Sequence, residues 1–133
     1  MLVLTRRVGE SIRIGDSVCL TISAKLRDHY TVVISAPGHL PVIDEDGQPF
    51  AALHHRRRRK RCYVVALLAG ESLWIGEEVF VRFGEDRYGG TLRMRSGPQV
   101  RVSIDAPREV PVHREEIYWR IWREAHDQPG RAA

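Results

Sequence analysis

Apolar and polar residues alternate along most of the first 45 positions of the chain. Leu2-Val3-Leu4-Thr5-Arg6-Arg7 reads as a strand that turns polar at its end, and Ile12-Arg13-Ile14 as a shorter one closed by Gly15-Asp16. From Ser17 to Ser23, the residues Val18, Leu20 and Ile22 share one face, as in a half-buried antiparallel strand. Arg27-Asp28-His29 predicts a turn, and Tyr30 to Ser35 a β-branched strand ending at Ala36-Pro37. Leu40 to Ile43 adds one more strand, broken by Asp44 to Pro49. Phe50 and Leu53, three apart, permit a short helix over Phe50 to Arg61. The like charges in that stretch favour instead a mobile connector that is at most partly helical.

The pattern then starts again. Val8 to Val18 reads VGESIRIGDSV and Ala69 to Val79 reads AGESLWIGEEV, a constant shift of 61 with six of eleven positions identical. Ala36 to Asp46 reads APGHLPVIDED and Ala106 to Glu116 reads APREVPVHREE, a shift of 70 with five of eleven identical. The difference of nine residues falls between Gly84 and Gln99. There Gly89-Gly90 and Ser96-Gly97-Pro98 predict turns around Thr91 to Arg95, a lengthened hairpin. Two diverged β-rich copies follow, at 1–50 and 62–125, with a basic linker over 51–61 and a flexible tail over 126–133. Each copy is too short to bury a comfortable core alone, so each is expected to lend strands to the other.

The end of the second copy changes period. Val110 and Val112 alternate, and Pro111 restricts the strand to an edge or an end. Ile117 with Ile121, and Tyr118 with Trp122, then repeat at four residues, so a helix starts near Glu115. Two acids occupy its first turn, where the helix dipole favours them. Trp119 and Trp122 read as core or interface rather than as base-stacking platforms. Arg114 sits at the joint, a charge with no place in a core; it is either solvated or functional.

Net charge is +4 and its distribution is uneven. Residues 1–50 carry five basic and six acidic side chains, and residues 62–133 carry ten and eleven. Residues 51–61 carry six basic and none acidic. The excess is one run, Arg56, Arg57, Arg58, Arg59, Lys60 and Arg61. It reads either as a solvated linker or as a source of non-specific phosphate contacts. Elsewhere, polyanion recognition would need individually placed arginines. A composition 43% hydrophobic and 29% charged is that of a soluble globular protein, and no apolar run approaches a membrane span. Met1 to Arg7 does not read as a secretion signal, and Cys19 and Cys62 read as reduced thiols, so a cytoplasmic location is expected. His54-His55 has no further ligands at metal spacing, and no catalytic motif occurs; neither metal, cofactor nor enzyme activity is expected.

The opening LVLTRRVGESIRIGD, the later IDAP and the stretch APREVPVHREEIYWRI resemble the CsrA/RsmA (carbon storage regulator) family of bacterial RNA-binding translational regulators. The resemblance is strong over residues 1–37 and 100–123. It implies an intertwined antiparallel β-sandwich or barrel-like assembly with a C-terminal helix. Ordinary members form it from two identical chains, and this chain is expected to form it as a single-chain pseudo-dimer. In that family the first strand of one protomer lies beside the last strand of the other, and each such pair binds GGA motifs in single-stranded or hairpin-loop RNA. Carried across, the RNA-binding positions are Leu4, Thr5, Arg6 and Arg7, then Val112, His113 and Arg114, with Ala106, Pro107 and Arg108 in the adjoining turn. His113 either contacts RNA or only packs.

The reciprocal pair differs. Leu67 and Leu68 stand where the first copy has Arg6 and Arg7, and Asp44 stands where the second has Arg114. The expectation is one working RNA site, binding mRNA or small regulatory RNA, and one degenerate site. A protein-binding module that sequesters a family member or meets a protein antagonist is the alternative. An obligate homodimer of two such chains is the alternative to a monomer.

Overall fold

The computed structural model describes residues 1–26, 29–53, 59–85 and 99–126. Among these residues ten strands and one helix follow in order: β1 (Leu2–Arg7), β2 (Ser11–Ile14), β3 (Val18–Lys25), β4 (His29–Pro37), β5 (Val42–Asp44), β6 (Lys60–Leu68), β7 (Ser72–Ile75), β8 (Val79–Glu85), β9 (Gln99–Asp105), β10 (Val112–Arg114) and α1 (Glu115–His126). They form two five-stranded antiparallel sheets, ordered β1-β9-β8-β7-β5 and β10-β2-β3-β4-β6. The sheets do not close into a barrel.

Each sheet takes its three central strands from one half of the chain and both edges from the other. The two halves are therefore woven together. The cause lies in the alternating pattern: strands of one half have an apolar face with too little of their own half to cover it. Val18, Leu20 and Ile22 of β3 are buried as their spacing predicts, with Tyr30, Val32 and Ile34 of β4. Leu73 of β7, Phe83 of β8 and Val100, Val102 and Ile104 of β9 complete the same core from the other sheet. The repeat survives in detail. Gly9 and Gly70 both turn at φ +90°, and Glu10 and Glu71 accept the main-chain N–H of Arg7 and Leu68 at 2.7 and 2.6 Å.

The structure sharpens several of the sequence expectations. The strand expected at Leu40–Ile43 is β5, and it extends through Asp44, because Asp44 Oδ1 accepts the N–H of Asp46 and Gln48, both at 2.9 Å, and shapes a tight return at Gly47 (φ +81°). No helix forms at Phe50–Leu53; Leu53 instead bridges to Cys62, its N–H reaching the carbonyl at 2.7 Å. Nor do Trp119 and Trp122 enter the core: no residue of α1 is buried. Strand β6 begins at Lys60, since β4 runs on to Pro37 and offers Lys60 and Arg61 ladder partners. The lengthened hairpin at residues 86–98 and His54 to Arg58 lie outside the described residues, as do Arg27-Asp28 and the tail beyond His126.

Candidate nucleic-acid interface

Two sheet edges face one another on each side of the sandwich. On the first side β1 of the first half meets β10 and α1 of the second. Strand β1 is hydrogen-bonded to β9 and strand β10 to β2, so β1 and β10 are neighbours across a gap rather than ladder partners.

Arg6 ties the two edges together. Its guanidinium reaches Glu116 in the first turn of α1 through both nitrogens, Nη1 to Oε1 at 2.7 Å and Nη2 to Oε2 at 3.0 Å. Nη1 also donates to the Ser11 carbonyl at 3.3 Å, and Nη2 lies 2.9 Å from Glu10 Oε2. The side chain is only 4% exposed, while Arg7 and Arg114 are exposed. Partial burial works to raise the Glu10 carboxyl. The Arg7 N–H it accepts and the Arg6 charge outweigh that, and hold it below its ordinary range.

The main chain of β1 adds to the site. Both the N–H and the carbonyl of Arg7 bond to Glu10, away from β9. Antiparallel alternation then aims the main-chain groups of Val3 and Thr5 toward the gap as well. Across it, Val112 and Arg114 pair with the buried Ile14 and Ile12 and so belong to the inward row of β10. Arg114 stays exposed because the gap is open there. Leu4, Thr5, Ala106, Pro107, Val112 and His113 are half-buried around the opening, and Arg108 is exposed. A pocket lined by Leu2, Ala106, Pro107, Arg108 and Val112 continues the opening along β1.

Two further arginines join the site that sequence reasoning missed. Arg101 of β9 stands opposite Thr5, on the outer face next to β1. Its alternation with Val100 and Val102 is readable in the sequence, but only the register puts it beside Thr5. Arg13 of β2 stands opposite His113 and lays its guanidinium over Tyr118 at 4.5 Å and Trp119 at 5.3 Å. That contact seats the start of the helix.

The second side is built differently. Leu67 occupies the position related to Arg6 and is buried at 3%, while Leu68, related to Arg7, is 51% exposed. Asp44, related to Arg114, spends its carboxylate on its own turn. The chain itself then crosses the gap. Gln48 and Phe50 bond to the free edge of β5, with Asp44 N–H to Gln48 O and Phe50 N–H to Val42 O both at 2.9 Å, and Leu53 bonds to β6. Phe50 packs against the core. Residues 48–53 thus strap the second gap shut at that end, where the second copy instead runs on into α1.

The described residues of the basic run, Arg59, Lys60 and Arg61, lie at β6. That strand is four spacings from β10 in the same sheet, roughly 19 Å. Cys19 and Cys62 are free thiols, and the two residues stand opposite Ser35 in the ladders on either side of β4. Among the described residues no three His, Cys, Asp or Glu side chains gather as metal ligands, and no helix is long and apolar enough to cross a membrane.

The family model of the CsrA global regulators matches residues 1–46 and again residues 64–123. The chain belongs to the CsrA family. It is a tandem-duplicated member of a family of non-enzymatic, RNA-binding post-transcriptional regulators. The two matched segments correspond to β1–β5 and β6–α1, the two halves that interleave. No solved structure matches the chain.

Proposed function

We propose that this CsrA-family chain reads GGA-type motifs in single-stranded or hairpin-loop mRNA, or in small regulatory RNA, through the gap between β1 and β10. It carries one working site per chain and thereby modulates translation. The observation that carries the reading is the contrast between the two gaps. One is open, with exposed Arg7, Arg108 and Arg114 and unpaired strand edges. The other presents Leu67, Leu68 and Asp44 and is strapped by residues 48–53.

Physically, an unstacked loop base offers hydrogen-bonding edges that free main-chain groups and arginine forks match. Arg114 supplies the fork, and Val3 and Thr5 supply main-chain donors and acceptors. Arg7 and Arg108 meet phosphates. Arg6 is already committed to Glu116 and Glu10, so it acts as a positioning residue that holds β1 against the start of α1. Val112, Leu4 and Ala106 give the bases an apolar bed.

A titration with a labelled GGA hairpin and its CCA counterpart tests this. The expected result is discrimination between the two RNAs, one RNA per chain by native mass spectrometry, and a loss of roughly 1–3 kcal/mol with Arg114→Ala. Equal binding of both hairpins, or two RNAs per chain, would overturn it. Equal binding would also favour the protein-binding alternative.

A further inference from the structure

A cavity of about 460 Å³ opens between the two halves, away from Arg6 and Arg114. It straddles the internal twofold relation. Ile14 and Ile75 face it from related positions, as do Val18 with Val79 and Leu40 with Val110. Its main chain is already satisfied: Gly15 donates to the Pro111 carbonyl and Gly76 to that of Pro41, both at 2.7 Å. Leu40 lies so close over Gly76 that a Cβ there would meet its Cδ2 at 3.0 Å. The walls are mainly apolar, and the N–H groups of Gly15 and Gly76 are already taken.

The mouth breaks the twofold relation. Ser17 lies on the first half's side, with His39, and Glu78 stands at the position related to Ser17, beside Glu77. Both glutamates are exposed, and neither has an ion-pair partner among the described residues. An apolar cavity with two exposed carboxylates side by side at its rim joins a hydrocarbon surface to a local negative charge. Sites of this size suit small organic molecules, with apolar walls giving affinity and a few polar groups giving orientation.

We propose that this cavity binds a small amphiphilic cation, its hydrocarbon body between the two halves and its ammonium group at Glu77 and Glu78. An anion of the same shape is repelled at the rim. A neutral analogue gains the walls but not the charges.

The test uses the full chain with n-octylammonium, n-octanoate and n-octanol as probes, followed by saturation-transfer NMR and by the thermal unfolding midpoint. Octylammonium is expected to bind roughly tenfold more tightly than octanoate, to raise the midpoint most, and to leave octanol between them. The Glu77→Gln/Glu78→Gln double variant, altered only at exposed positions, is expected to bring the three probes within about threefold of one another. Ser17→Trp at the mouth and Val79→Phe in the wall are expected to abolish octylammonium binding in whichever variant keeps the native circular dichroism spectrum. Absence of octylammonium binding at millimolar concentration overturns the proposal. So does octanoate binding as well as octylammonium, or a charge preference that survives the double variant. Octylammonium binding unchanged by a folded cavity-filling variant overturns it too. Should both filling variants unfold, the glutamine variant decides alone.

Discussion

A guanidinium as enclosed as that of Arg6 is tolerable only with its charge answered on the spot, and two carboxylates answer it here. Both partners are more exposed than Arg6 itself, so removing the arginine leaves charges that water can reach. The internal repeat supplies the control, because Leu67 fills the related position with no charge at all. Arg6→Leu is therefore expected to change global stability by less than about 1.5 kcal/mol. It should also release the first turn of α1, read as faster amide exchange at Tyr118 and Trp119 with a nearly unchanged urea midpoint. Glu10 carries a pH signature of the same network. Its folded pKa is depressed, so its contribution to stability is complete above the ordinary glutamate value of 4.5 and is lost as pH falls through the lower folded value. Glu10→Gln is expected to flatten the decline of the urea midpoint on acidification relative to the parent chain. In the sequence, Arg6 and Arg7 look equivalent. Strand alternation separates them, since Arg6 shares the inward row with Leu2 and Leu4. Its burial further requires Glu116, 110 residues away, which no local pattern discloses.

Strands and helix ends are the most readable features, because period 2 and period 3.6 are properties of short stretches. The switch from β10 to α1 at Arg114 is visible in the spacing of Val110, Val112, Ile117 and Ile121. What short stretches do not contain is the destination of a polar segment. Residues 48–53 carry no clear period, yet their main chain completes the free edge of β5 and touches β6. Exposed edges attract whatever backbone is near. This strap bears on any attempt to rebuild the second site. The triple variant Asp44→Arg/Leu67→Arg/Leu68→Arg restores the charges but not the opening. It is expected still to take one RNA per chain by native mass spectrometry. The helix teaches the opposite lesson. Its aromatic spacing suggests a buried face, whereas Tyr118 and Trp119 are engaged mainly by Arg13 and the rest projects beyond the sheets.

For the molecule entire, interleaving matters more than the linker. Every sheet edge belongs to the half that does not own the sheet, so neither half encloses its core without the other. Cleavage at a protease site placed within residues 54–58 is expected to leave the fragments associated. They should co-elute at the mass of the intact chain, about 15 kDa, and separate only in denaturant. The duplication is legible from the constant shifts of 61 and 70. The exchange of edges is not, because register and partner choice are set by long-range burial. It entered instead through the family resemblance, and the topology of the chain bears it out.

A symmetric pair of identical chains repeats every substitution at both of its ends. Joining the halves in one polypeptide lifts that constraint. Arg6 and Leu67 answer the same structural question in two ways within one molecule, and each answer can be altered while the other is left alone. Dilution, which would pull apart a pair of unlinked chains, has no purchase on such an arrangement.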